Sequence, residues 1–236
     1  MHQAHLKHSP ASPRLSVEAF ADTDTLENSY LVRTGRGRAL VIDPNASPEL
    51  LKSIAQLGAG MVTVALTHAH ADHISGLAAL MERFPVRIAC SEECAQRLLA
   101  PSKTGLEFLL VMLRMQDTRD GGRREERFER SYRPCTARAQ ITFTNAFTLA
   151  EGAHRLRFIP APGHSPGSCI IVLDDECAFT GDSLFADRAA VTRFPRGSTR
   201  DYRAKTVVAL KSLPQIMPAF PGHGAPFILR DGVYPA

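Results

Sequence analysis

The chain has 236 residues, 44% of them apolar, enough for one sizeable core or one layered α/β domain. Its formal net charge is only +4, and its acids are mixed among the basic residues, which does not fit the concentrated positive face of a nucleic-acid binder. No run approaches the roughly 18 consecutive apolar residues of a membrane span, so a membrane partner is not expected.

The first fourteen residues, MHQAHLKHSPASPR, are polar and lack an apolar stretch. They read as a disordered tail rather than a secretory signal, with His2, His5 and His8 part of that tail. Leu15 to Phe20 alternates with period two, as a strand does. Tyr30–Arg33 and Ala39–Asp43 flank Gly35-Arg-Gly37 and read as a hairpin. Ser47-Pro48-Glu49 opens a helix with a cap, a proline and an early acid. Leu50, Leu51, Ile54 and Leu57 recur at helical spacing until Gly58. Met61 to Leu66 is a short buried strand, and a helix is expected from about Asp72 to Arg83. Val86–Ala89 reads as a strand and Glu92–Leu99 as a helix.

Pro101 to Arg138 has a different texture and reads as a 38-residue insertion of one or two helices and a mobile loop. Leu106–Met115 is helical and apolar; Arg119–Arg138 is rich in arginine. Strands resume at Ile141–Phe143, His154–Ile159, Cys169–Leu173 and Ala178–Thr180. A helix over Thr199–Leu213 and a last strand over Ile216–Phe220 complete the pattern. Mixed strands with helices from both halves suggest two sheets packed face to face with helices outside, an α/β fold. The five cysteines have no CxxC spacing and read as free thiols in a reducing cytoplasm, the expected location.

The chemistry is concentrated in Thr67–Gly76, THAHADHISG. The chain leaves the strand Met61–Leu66 at its C-terminal end, where α/β proteins favour ligand sites. In extended backbone His68, His70 and Asp72 point to one side, and His73 can turn back toward the same point. Imidazoles with a carboxylate suit borderline divalent metals such as zinc or iron. Three further ligand-type residues follow apolar strands beside glycines that admit close backbone approach: His164 in APGHSPGS, Asp182 in FTGDSLF and His223 in FPGHGAPF.

The set His68, His70, Asp72, His73, His164, Asp182, His223 resembles the metallo-β-lactamase fold superfamily, and within it the glyoxalase II group of thioester hydrolases. The resemblance spans roughly Leu15 to Phe227, apart from the insertion. It implies an αββα sandwich of two mixed β-sheets flanked by helices, with a metal site at one edge. It implies a first metal on the residues matched by His68, His70 and His164. A second would sit on those matched by Asp72, His73 and His223, with Asp182 bridging both. Two divalent ions are therefore expected, Zn2+ first, with iron or manganese as alternatives. Such a pair lowers the pKa of a shared water from 15.7 toward about 7, and the bridging hydroxide attacks a carbonyl carbon. Asp72 is placed to orient it and carry a proton. Thr67, Ser165, Thr180 and Ser183 are candidates for bonds to the ligands.

The expected activity is hydrolysis of a small-molecule thioester, ester or lactone. A mononuclear iron persulfide dioxygenase, using His68, His164 and Asp182, is the alternative. Enzymes of this superfamily that hydrolyse β-lactams with two zincs commonly have Cys where this chain has Asp182, which argues against that task. Glyoxalase II enzymes proper carry a C-terminal helical extension, whereas this chain runs thirteen residues past His223, so glutathione specificity loses its main support. The insertion is then the element expected to shape the substrate, as a lid over the site. Its apolar half would accept an acyl chain and its arginines an anionic group; a homodimer through the insertion is the competing reading.

Overall fold

The computed structural model describes residues 15–235; the expected tail over 1–14, with its three histidines, lies outside the described residues. The first sheet collects β1 (Val17–Ala21), β2 (Asn28–Gly35), β3 (Arg38–Ile42), β4 (Met61–Ala65), β5 (Val86–Ser91) and β6 (Ile141–Phe143), in that spatial order. Its first two pairings are antiparallel and its last three parallel, because helices cross between β3, β4, β5 and β6. The second sheet runs β12 (Phe227–Ile228), β11 (Pro218–Pro221), β10 (Cys177–Gly181), β9 (Cys169–Leu173), β8 (His154–Pro160) and β7 (Phe147–Glu151). It is antiparallel except between β10 and β11.

Strand alternation decides which residues meet which layer. On β2 and β3, Tyr30, Val32, Leu40 and Ile42 face the second sheet and pack with Phe158, Ile171, Phe179 and Phe220. Their neighbours Leu31 and Val41 face the other way, onto α1 (Pro48–Gln56), α2 (Leu77–Arg83) and α3 (Glu92–Leu98). On the outer side of the second sheet, Ile170, Val172 and Ala178 meet Leu210 in the helix near the C-terminus and Leu213 just after it. The layers are therefore helix, sheet, sheet, helix. Each fully buried aliphatic or aromatic side chain contributes roughly 1.5–3 kcal/mol to holding them.

Several elements differ from the pattern read in the sequence. Ser47 precedes α1 as expected, but its hydroxyl donates to Glu49 (3.1 Å) and makes no cap bond to backbone. The helix expected over Asp72–Arg83 is split into a 3₁₀ turn, Asp72–Ile74, and α2 from Leu77. The break sits where Gly76 presses on the 44–45 turn; a Cβ there would lie 1.9 Å from the Asn45 carbonyl oxygen. The insertion forms two helices, α4 (Leu106–Asp120) and α5 (Arg124–Ser131). The segment expected to be one helix to Leu213 is α6 (Thr199–Asp201), a π-helical stretch Tyr202–Thr206, and α7 (Val207–Ser212). β7 and β12 are additional, and β11 begins two residues later than Ile216, whose side chain is exposed. Among the described residues no helix is long and apolar enough to cross a membrane.

Candidate metal centre

All seven residues singled out in the sequence meet at one rim of the two sheets. His68, His70, Asp72 and His73 follow β4, His164 follows β8, Asp182 follows β10 and His223 follows β11. Bonds between the sheets hold these connections together. Cys169 N donates to Thr67 O (2.8 Å), and Asn28 N donates to Gly222 O (2.7 Å). The Asn28 amide donates to Pro221 O and Gly224 O, and the Tyr30 hydroxyl also donates to Pro221 O (2.6 Å). The loop carrying His223 is thus strapped to β2 of the opposite sheet.

Two ligand groups converge there, joined by a third, Asp43, His68 and His73, that shares a histidine with each. His68, His70 and His164 form one; Asp72, His73 and His223 form the other. His70 Nδ1 lies 3.0 Å from His68 Nε2 and 2.9 Å from His164 Nε2. His223 Nε2 lies 3.4 Å from Asp72 Oδ2. Asp182 reaches both groups: Oδ1 is 3.3 Å from His73 Nε2, and Oδ2 is 3.6 Å from His164 Nε2 and 3.7 Å from His223 Nε2. Ligands bonded tetrahedrally at 2.0–2.1 Å lie about 3.4 Å apart, so these separations have the scale of coordination shells.

Hydrogen bonding alone does not satisfy the cluster, which is the test of whether ions fit. His73 Nε2 and Asp182 Oδ1 are buried and face each other at 3.3 Å without the geometry of a hydrogen bond. Buried polar atoms left so are costly. His70 Nδ1 has a single lone pair or a single proton, so it cannot satisfy both imidazole nitrogens beside it. Cations shared among these atoms resolve both problems, and neutral imidazole with carboxylate is a donor set for borderline divalent metals. Gly222 leaves the necessary room: a Cβ there would lie 2.3 Å from Asp182 Oδ1 and 2.6 Å from His73 Cε1.

Tautomers are set from behind. His164 Nδ1 donates to Val191 O (2.9 Å), leaving Nε2 free as a donor of electrons. His73 Nδ1 donates to Asp43 Oδ2 (3.0 Å). His68 Nδ1 donates to Thr67 Oγ1 (3.0 Å), whose own hydroxyl donates to Asp43 Oδ2 (2.5 Å). Asp43 Oδ1 accepts Thr67 N (2.7 Å), so this one buried carboxylate braces the loop and two of its histidines. It sits in the left-handed region at φ 48°. Of the four hydroxyls expected to brace ligands, only Thr67 does so. Ser165 bonds Ser168, Thr180 donates to Leu184 O, and the Ser183 carbonyl accepts the Tyr202 hydroxyl.

Protonation divides the two groups. Burial and neighbouring imidazoles push His68 well below the ordinary histidine value, and burial with His164 brings His70 down to about 3. Burial also lowers His164. For His73 and His223 burial acts the same way, but the charges of Asp182 and Asp72 outweigh it and raise both. Asp72 is held at about 2 despite burial, by His73 and His223. The first group is therefore neutral and the second an ion-paired cluster when no metal is bound.

A cavity of about 1020 Å³ opens over this floor. Phe108, Leu109, Met112 and Leu113 on one face of α4 form a wall, so this part of the insertion lies over the site. Phe194 lies between them: its ring centroid is 4.5 Å from Phe108, 5.1 Å from His164 and 5.9 Å from His70. No arginine of the insertion is among the residues that line the cavity. Arg114 pairs with Glu125, Arg124 with Asp117 and Asp120, Arg127 with Asp24, and Arg130 with Glu126.

Sequence reasoning passed over Asp43, Phe194 and the buried Glu27, whose Oε1 lies 3.5 Å from His73 Nδ1. Asp43 carried a signal, since it follows a buried strand as Asp182 does. Phe194 and Glu27 carried none.

Comparison with known proteins agrees with this fold. The profile of the metallo-beta-lactamase superfamily matches residues 22–223, and the chain belongs to that superfamily. The hydroxyacylglutathione hydrolase GloC of Haemophilus influenzae is 27% identical, over 89% of this chain and 92% of the relative. The BLEG-1 B3 metallo-beta-lactamase structure superposes with a TM-score of 0.73 at 22% identity, covering 92% of this chain and 95% of that one. TTHA1623 in a di-iron-bound form gives a TM-score of 0.68 at 25% identity, covering 90% and 94%.

Proposed function

We propose that this metallo-hydrolase works with two divalent ions and cleaves a thioester or ester, lactones included. The observation that carries this reading is Asp182, one carboxylate whose two oxygens face both ligand groups. His68, His70 and His164 would hold one ion; Asp72, His73 and His223 the other; Asp182 would bridge. Zn2+ suits the donors best. Iron is the first alternative, given a di-iron form in a related protein, and manganese the second. When bound, the ions activate a water and polarise the substrate carbonyl.

The chain's own residues do the rest. Asp72, held ionised, presents an acceptor to the attacking water and carries its proton toward the leaving group. Asp43 and the Val191 carbonyl keep His73 and His164 in the tautomers that leave Nε2 available. The α4 wall and Phe194 exclude water above the reacting carbon and offer apolar surface to an acyl group. The insertion is on this reading a specificity lid.

Metal quantification on the purified protein, followed by a panel of thioesters, lactones and glutathione persulfide, tests the proposal. Two ions per chain with thioester or lactone turnover is the expected result. One iron per chain with oxygen uptake on the persulfide would replace it with the dioxygenase reading.

A further inference from the structure

The cavity is lined by two cations, Arg97 and Lys103, that have no ion-pair partner among the described residues. Arg97, on α3, is 5% exposed and lines the cavity. One of its nitrogens, Nη1, donates to Lys103 O (2.9 Å); Nε and Nη2 are buried without a partner. Among the described residues no carboxylate lies within ion-pair distance of it. A guanidinium does not give up its proton, so this charge stays on and its field reaches into the cavity. Buried charges are ordinarily paired, so such a group calls for a counter-ion from outside the chain.

Two further cations stand beside it. Arg196 lines the same cavity, on a turn closed by Gly197 N donating to Phe194 O (2.7 Å), with its own φ at 69°. It is near enough that its charge, after burial, lowers the pKa of Arg97. Its one acid partner is Glu93, at 3.6 Å and substantially exposed. Lys103 lines the cavity with no ion pair among the described residues. Glu107 is the one other acid on this wall outside the metal centre. Arg188, across the cavity, is already engaged by Asp187 and by the Phe185 ring.

This cationic corner is next to the reacting end. Thr104 O, one residue beyond Lys103, accepts Ala71 N (3.0 Å) in the metal loop, and Gly105 lies against the His70 ring.

We infer that Arg97, Arg196 and Lys103 form an anion subsite of the active cavity, so that the substrate bears a carboxylate or phosphate in addition to the bond that is cut. This rests on the hydrolase reading for the word substrate, but not for the subsite itself. Arg97 supplies a fixed charge, and the longer, exposed Arg196 and Lys103 supply movable contacts. The recognition expected of the arginine-rich part of the insertion is thereby assigned to α3, the Pro101–Lys103 turn and the 194–197 turn.

Binding of thioethers, which cannot be hydrolysed, tests the inference on the metal-loaded protein by calorimetry. The neutral probe is S-butyl-N-acetylcysteamine. S-butyl-glutathione and S-butyl-coenzyme A place carboxylates or phosphates on the thiol arm, and S-(3-carboxypropyl)-N-acetylcysteamine places a carboxylate on the acyl arm. At least one anionic probe is expected to bind about tenfold or more tighter than the neutral one, with the gap shrinking as salt rises. Which probe wins identifies the anion and its arm. Arg196→Asn, which keeps a residue that tolerates positive φ, and Lys103→Ala should each remove about three- to tenfold from that probe and leave the neutral one unchanged. Both side chains are exposed, so these variants carry the test even where Arg97→Met fails to fold. Equal binding of all four probes, or variants that weaken all probes alike, would overturn the subsite. Anionic preference without turnover of any ester would retire the hydrolase reading and leave the subsite standing.

Discussion

The metal rim and the insertion are built by opposite means. Every residue at the rim sits on a short connection whose backbone is bonded to the other sheet or to a buried side chain. Asp43 alone fixes Thr67, His68 and His73. The insertion is tied at its ends by backbone bonds (Ala71 N to Thr104 O, Ala137 N to Leu98 O) and has three buried apolar anchors, Leu113, Phe128 and Ala137, while the links of its two helices to each other and to Asp24 are mostly solvent-facing ion pairs. Exposed pairs contribute about 0–1 kcal/mol each. The difference teaches where precision is needed: the ligand atoms must be set to fractions of an ångström, whereas the wall above them only has to exclude water and fit an acyl group. Such loosely held elements are the ones that can move and vary.

The comparison breaks first at Asp182. Asp182→Ala should cost at least one metal ion per chain and about a thousandfold or more in turnover, seen by metal analysis and steady-state kinetics. A variant retaining both ions and full activity would remove the bridging assignment. Next, Asp43→Asn should weaken metal affinity about 10- to 100-fold while circular dichroism stays native, since the residue acts by orienting ligands.

The two ligand groups should also separate by pH. Asp182 and Asp72 raise His73 and His223 above the ordinary histidine value despite burial, so both keep their protons to higher pH than the first group in the metal-free protein, and a metal must displace those protons. His68, His70 and His164 are lowered and already neutral. Chelator competition between pH 6 and 8 should therefore show the second site tightening about tenfold per unit for each proton released. The first site should be nearly flat. Equal slopes would show that the groups are not electrostatically distinct.

On the insertion the effects are smaller. Phe108→Ala should lower kcat/KM for long acyl chains about three- to tenfold and spare acetyl esters. Smallest of all, Arg127→Ala should cost under about 1 kcal/mol in denaturant melts and leave metal affinity unchanged. A large loss would mean that the Arg127–Asp24 pair anchors the insertion more firmly than its exposure implies.

What could be read in the sequence follows the same division. The seven rim residues were legible because each follows an apolar strand and stands beside glycine, proline or another ligand type. The layered fold was legible because strand and helix periods alternate clearly from Leu15 to Phe220. Asp43 follows a buried strand as Asp182 does, but one acid after a strand is also an ordinary turn residue, so that signal does not set it apart; its distances to Thr67 and His73 do. Phe194 is one aromatic in a loop, and its role depends on α4 arriving from elsewhere in the chain. Which acids the arginines of the insertion pair with was not legible, because Glu125, Asp117 and Asp24 are adjacent to them in space in a way that composition does not report. The break between the 3₁₀ turn and α2 depends on contact with the Asn45 carbonyl, which no helical period encodes.

The π-helical stretch Tyr202–Thr206 touches two of the ligand-bearing connections at once. The Tyr202 hydroxyl donates to Ser183 O (2.7 Å), next to Asp182, while its Cβ covers Gly163, next to His164. Thr206 donates to Pro162 O (2.6 Å) on the same side. A π turn holds one more residue than an α turn needs, and removing it would restore a regular ladder. It would also rotate the preceding residues by about 100°, carrying the tyrosine away from both loops. The deletion that makes the better helix would make the worse catalyst: the extra residue acts as a spacer that sets the reach between the two halves of the rim.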